Sequence, residues 1–125
     1  DRKTGAYLGV YHFKSAEDFI HDYLYPQENG NRCDVRWLEV GSDVKLRVDA
    51  VGRAFEAGVH PYTLEELDAA KHSCDLPRHD YLTVNIDGGQ QGVGGDVPAV
   101  ATLKPQYKLP KMQTLTLRCT LQFKK

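Results

Sequence analysis

From Leu115 to Phe123 apolar and polar side chains alternate without a break. Leu115, Leu117, Cys119, Leu121 and Phe123 fall on one side, and Thr116, Arg118, Thr120 and Gln122 on the other. Successive strand residues point to opposite faces, so this alternation predicts a β-strand with one buried face. Val44–Ala50 repeats the pattern. So does Tyr81–Asp87, with Leu82, Val84 and Ile86 directed inward. Asp34–Val40 reads as a fourth strand, and Gly41-Ser42-Asp43 joins it to the Val44 strand as a hairpin.

Two short helical signals interrupt the strands. Thr63-Leu64-Glu65-Glu66 is a capping box, in which the Thr63 hydroxyl accepts from the Glu66 amide and Glu66 reaches back. That helix is predicted to run through Leu67 and Ala70 and to stop before Cys74. Ser15-Ala16-Glu17-Asp18 starts a turn of helix through Ile20. Gly88-Gly89 and Gly92–Gly95 mark loops or bulges, and Pro98, Pro105 and Pro110 flank or interrupt the stretch that follows. Several closely spaced strands with minor helices predict an all-β, antiparallel sandwich.

The chain has 125 residues, the size of one domain, and is long enough to bury a core without disulfides or metals. A net charge of −1 argues against nucleic acid or an anionic membrane as a partner, and no apolar run approaches a membrane span. Asp1-Arg2-Lys3-Thr4-Gly5 lacks a methionine and a signal-peptide core, and reads as a cut inside a longer protein. Cys33, Cys74 and Cys119 form no CxxC and cannot all pair, so buried thiols are expected. The odd count favours a reducing compartment and leaves both cytoplasm and periplasm open.

No constellation singles out a catalytic centre. Gly88–Gly95 lacks the ending of a phosphate-binding loop, and Asp96-Val97-Pro98 cannot open a helix behind it. His72, Cys74, His79 and Asp80 show no repeated ligand spacing, so no metal is assigned to them. Glu65, Glu66 and Asp68 suit the N-terminal face of a helix, and Asp87 suits a turn. With Asp75, Asp80 and Asp96 they form no recognisable acid–nucleophile pair. The polar run from Pro26 to Trp37 reads either as a binding loop for a polyhydroxy ligand or as a structural network. The network is preferred, with Arg32 and Arg36 paired to Glu28 or Asp34 and Asn29-Gly30 making the turn.

That run also carries a family resemblance. PQENGNRCDVRW, Pro26 to Trp37, closely resembles the motif PQENGNRTDVRW of the C-terminal domain in β-galactosidases of glycoside hydrolase family 2. Asp1–Tyr7 is similar to the end of the family's NYPDRKTGA motif. Pro61–Leu67 with Ala69–His72 resembles its SPYSxxDLxxAKH helix. Leu76-Pro77-Arg78, Leu82–Asp87, Gln91–Asp96 and Gln106–Leu109 resemble its LPR, LNID, QMGVGGD and PEYRL segments, in the same order. The resemblance covers nearly the whole chain.

The resemblance implies a supersandwich related to galactose mutarotase-like domains, of which residues 1–125 form a single fragment, roughly the C-terminal half. It implies a parent that hydrolyses terminal β-galactosides with retention, through two glutamates on a separate TIM-barrel domain. This fragment would hold no catalytic residue, no metal and no cofactor; the parent's magnesium and sodium sites would lie on other domains. Its partners would be those other domains, a galactoside bound through them, and a second copy through self-association. One departure stands out. Where the family reads GGDDSW, this chain reads Gly94-Gly95-Asp96-Val97-Pro98-Ala99, so Ala99 replaces a tryptophan that serves galactoside as a platform. Asp96 and Ala99 are therefore the candidate residues at the active-site mouth, in a loop facing the barrel. An autonomous carbohydrate-binding or mutarotase-like module is the alternative.

Overall fold

The computed structural model describes residues 8–21, 23–90, 105, 108–111 and 116–125. Strands β1 (Arg32–Val35), β2 (Trp37–Gly41), β3 (Lys45–Ala50), β4 (Phe55–His60), β5 (Thr83–Asp87) and β6 (Cys119–Lys124) form two sheets. One has the order β1-β4-β5 and the other β2-β3-β6, with every pairing antiparallel. The helices are short: α1 (Leu64–Ala69) and single 3-10 turns at Ala16–Phe19 and Ser73–Asp75. The predicted all-β antiparallel sandwich is the fold observed.

Register explains the packing, because directly opposed residues of an antiparallel pair share a face. Leu46 lies opposite Val40 and Phe123, and Val48 opposite Leu38 and Leu121. These residues, with Ala50 and Cys119, make one apolar side of the β2-β3-β6 sheet. Val35 lies opposite Phe55, and Ile86 opposite Ala57, on the facing side of the other sheet. The two sides meet in a core of Val48, Phe55 and Ala57, bordered by Val35, Leu38, Leu46, Ala50, Ile86 and Leu117. The reverse side of the β2-β3-β6 sheet is polar. There Arg47 bonds Asp49 and Glu39, Lys124 reaches Glu39, and the Arg47 guanidinium sits 4.7 Å from the Trp37 ring centroid.

Strand β4 has no counterpart in the predicted elements. Its sequence, Phe-Glu-Ala-Gly-Val-His, does not alternate, because both its faces are covered. Phe55 and Ala57 meet the opposite sheet, while Gly58 and His60 are buried on the reverse beneath the N-terminal segment. Nor is Asp34–Val40 one strand. Asp34 adopts φ +55° and the register with β4 slips between Arg32 and Val35. An extra residue of this kind bends a strand. The chain leaves one sheet after Val35 and enters the other at Trp37, so the predicted strand divides at Arg36.

The hairpin β2–β3 forms as expected, except that β3 begins at Lys45 and Val44 is exposed. Gly41 closes it with φ +128°, where a Cβ would collide with the Val44 carbonyl oxygen. A side chain is strained in that conformation whatever the space around it.

Three burial expectations are corrected. Leu82, predicted to point inward, lies before β5 and is exposed. The alternation in β6 is real, but its apolar side is not buried: Leu121 is 58% and Phe123 79% exposed. The facing sheet covers β3, and β6 lies beyond its reach. Leu115 is outside the described residues. The three thiols are free and exposed rather than buried. Cys33 and Cys119 sit on strands at the margins of their sheets, and Cys74 sits on an exposed 3-10 turn.

Phe55 and Phe123 therefore carry very different weight in the same chain. Phe55→Ala should cost about 3–5 kcal/mol through the cavity it leaves. Phe123→Ala should change the stability of the chain by less than about 0.5 kcal/mol, as for an exposed site. Urea denaturation of both variants checks this; comparable losses would place Phe123 in a core.

Candidate functional site

The polar run before β1 is built into the fold by its backbone. Gly30 has φ +81°, and a Cβ there would lie 2.5 Å from the Phe19 carbonyl oxygen. Only glycine lets the chain turn this close to the 3-10 helix. Asn29, beside it, accepts from the His21 amide at 2.5 Å and donates to the Gln27 carbonyl at 3.0 Å. The fully buried His60 places Nε2 2.9 Å from the Asn29 carbonyl oxygen. An acceptor there makes Nε2 the protonated nitrogen. Asn31 donates to Glu56 of β4 at 2.8 Å.

Arg32 ties these pieces together and is only 6% exposed. Its NH1 donates to the Gly30 carbonyl at 2.6 Å and its NH2 to the Phe19 carbonyl at 2.9 Å. Its guanidinium lies 4.5 Å from the Phe19 ring centroid and 5.4 Å from that of Phe13. Carbonyls, not Glu28 or Asp34, take these two nitrogens, and Arg36 is exposed at the strand break. The network reading of the run holds in kind, with different partners. Burial lowers the Arg32 guanidinium from its ordinary value, although an arginine keeps its charge under such a penalty.

The other candidates fall into structural roles. Thr63 and Glu66 make the capping box: the Thr63 amide donates to Glu66 at 2.8 Å and the Glu66 amide to the Thr63 hydroxyl at 3.2 Å. Glu66 also holds His79, whose Nε2 lies 2.8 Å from Oε1 and whose ring stacks on Tyr81. Asp75 accepts from the His72 and Lys71 amides at 2.9 and 3.3 Å. Asp87 ends β5 opposite Glu56 rather than sitting in a turn. Gly88 takes a hydrogen bond from Arg53 on its carbonyl. Among the described residues no three His, Cys, Asp or Glu side chains converge as a metal site. Asp96, Ala99 and Gly92–Gly95 lie outside the described residues.

What the sequence did not signal is a cleft of about 260 Å³ beside this network. Three separate segments build it: the 3-10 helix with the loop behind it, Pro61–Leu67, and Ser73–Arg78. Tyr62 and Leu67 are buried in its wall, while Glu17 and Arg78 form an ion pair at the exposed rim. The Ser73 hydroxyl donates to the Tyr23 carbonyl at 2.6 Å and pins the rim across the opening.

The description "Beta galactosidase small chain" belongs to the family whose sequence pattern matches residues 1–121. A β-galactosidase of Halalkalibacterium halodurans is 38% identical over 117 residues, which cover 92% of this chain and 11% of the relative. One from Priestia megaterium is 38% identical over 130 residues, covering 98% and 12%. β-Galactosidase BgaC of Bifidobacterium adolescentis is 35% identical over 121 residues, covering 94% and 11%. The chain thus spans 11–12% of the length of these relatives.

The site's electrostatics set a pH dependence. The Thr63 amide first, and His79 second, hold the Glu66 carboxyl below its usual range. The His72 amide does the same for Asp75, Arg47 for Asp49, and Lys124 with Arg47 for Glu39. A depressed carboxyl adds stability above its unfolded value, about 4.3 for Glu, and loses that contribution as pH falls through the folded value. Stability should therefore decline as pH drops below about 4, and Glu66→Gln should flatten part of that decline. Denaturation midpoints measured between neutral and acid pH check this; an unchanged slope in Glu66→Gln would remove Glu66 from the account.

Proposed function

Because the chain belongs to the β-galactosidase small-chain family, we propose that it is a non-catalytic part of a β-galactosidase. In this reading residues 1–125 complete a larger sandwich, and the hydrolysis of terminal β-galactosides takes place on carboxylates and metal ions held by other domains. The uncovered apolar side of β6 carries the reading. Cys119, Leu121 and Phe123 are patterned as core residues yet are exposed, with no layer over them among the described residues. Burying a large apolar side chain fully is worth about 1.5–3 kcal/mol. A partner sheet from the remaining polypeptide would gain that at each position. The Arg32 network supports the same reading from the other side, since it spends the most polar segment on holding the fold.

Two measurements test the proposal. The purified chain should leave a chromogenic β-galactoside intact, and turnover that follows the chain through purification would overturn the assignment. In the full polypeptide, Phe123→Glu should reduce the yield of assembled, active enzyme while leaving the fold of the isolated chain unchanged. Normal assembly of that variant would mean that β6 is not covered.

The proposed mouth residues are Asp96 and Ala99. A methyl group offers no face for a sugar, and a missing contact of ~100 Å² is worth about 2.5 kcal/mol at ~25 cal/mol per Å². Ala99→Trp in the full enzyme should accordingly change KM or inhibitor affinity. Unchanged kinetics in a folded variant would remove Ala99 from the mouth.

A further inference from the structure

We propose that the cleft bounded by Glu17, Tyr62, Leu67, Ser73 and Arg78 binds a single neutral pyranose sugar, as a site separate from the hydrolytic one. The inference goes beyond the accessory role and does not depend on the covering of β6.

Size is the first argument. Ligand pockets begin at roughly 300 Å³, and this cleft is about 260 Å³. It admits one small ring rather than an extended oligosaccharide or a drug-sized molecule. Its walls give the second argument. The half-buried Ile20, Leu76 and Pro77 supply apolar surface to the cleft, whose wall also includes the buried Tyr62 and Leu67. The C–H face of a pyranose is the part of a sugar that gains from such contact. The third argument is the rim. Glu17 and Arg78 stand side by side as an ion pair. A carboxylate offers acceptors only, and a guanidinium donors only. A pair of neighbouring sugar hydroxyls both donates and accepts, so it can bridge the two. Ser73 spends its proton on the Tyr23 carbonyl, which leaves its oxygen lone pairs as further acceptors.

Charge decides between ligand classes. Arg78 alone at the rim would favour phosphate or carboxylate ligands. Glu17 beside it cancels that preference and repels an anion, so a neutral polyol fits better. The exposed Tyr23-Leu24-Tyr25 segment adjoins the opening and offers aromatic surface to whatever the ring is attached to.

The three exposed thiols allow a local test. Cys74 lines the cleft, whereas Cys33 lies on β1 and Cys119 on β6. The rest of the full polypeptide would cover Cys119, so alkylation rates at Cys74 and Cys33, read by mass spectrometry of the full polypeptide that carries this chain, report occupancy at Cys74 with Cys33 as the internal control. D-galactose, with D-glucose in parallel, should protect Cys74 saturably while Cys33 reacts unchanged. At a sugar concentration about ten times the dissociation constant, protection should reach roughly tenfold. Arg78→Ala and Glu17→Gln should each abolish the protection. The readout is local, so sugar held at a hydrolytic site elsewhere does not produce it. Equal Cys74 rates with and without either sugar would overturn the proposal. So would protection by inorganic phosphate in place of sugar, which would make the cleft an anion site. Protection that persists in both variants would also overturn it.

Discussion

The two sheets are joined through one small contact: Val48 of β3 against Phe55 and Ala57 of β4. Each of these strands is the middle one of its sheet, and the short turn at Val51–Ala54 links them. The remaining strands depend on this contact, since among the described residues β2 and β6 pair with β3, and β1 and β5 with β4. Its smallness has a consequence. A core of a few side chains holds the centres of two sheets together, and the margins of the sheets extend beyond the cover each gives the other. Leu38, Leu46 and Ile86 are partly buried, and on β6 cover fails altogether.

Polar interactions extend the order outward from that centre. On the outer side of one sheet, Arg47 gathers Glu39, Asp49 and the Trp37 ring, which fixes the β2–β3 register from the solvent side. On the outer side of the other sheet, Arg32, Asn29 and His60 fasten the N-terminal segment over β4. That third layer explains why β4 is buried on both faces. The cleft lies where this layer, α1 and the Ser73–Arg78 segment meet without filling the space, so the network that holds the fold also shapes the opening.

Alternation made β3, β5 and β6 legible, because period two is a local property of the chain. The capping box made α1 legible for the same reason: Thr63 and Glu66 are three residues apart and satisfy each other. Strand β4 was not legible. With two covered faces all its residues but Glu56 are buried, and Gly58 and His60 look like a loop until the overlying segment is in place. The reach of the opposing sheet was equally hidden. Alternation tells which residues of β6 share a side, but whether that side is covered depends on strands distant in sequence. The same holds for Arg32, whose charge suggested Glu28 or Asp34 as partners while the fold brought the Gly30 and Phe19 carbonyls to it. The cleft had no local signal at all, since it joins three segments that only the fold brings together. Asp96 and Ala99 were chosen by resemblance alone, with no feature of composition or spacing to mark them.

The edge of β6 distinguishes between two kinds of partner. A second copy of the chain could pair with it antiparallel, extending the sheet and its apolar side. One register within Cys119–Lys124 sets Leu121 opposite Leu121 and Cys119 opposite Phe123. That register also sets Arg118 opposite Lys124 on both sides of the two-fold axis. Like charges directly opposed across a strand pair are destabilising, and charged residues on an edge strand, lysine above all, discourage self-pairing. Lys124 is already held by Glu39 of its own sheet, which lessens the repulsion without removing it. A strand or loop carrying acidic residues meets no such penalty and still covers Leu121 and Phe123. The charge pattern of β6 thus disfavours self-pairing in the register centred on Leu121, a penalty that an acidic stretch of polypeptide does not meet.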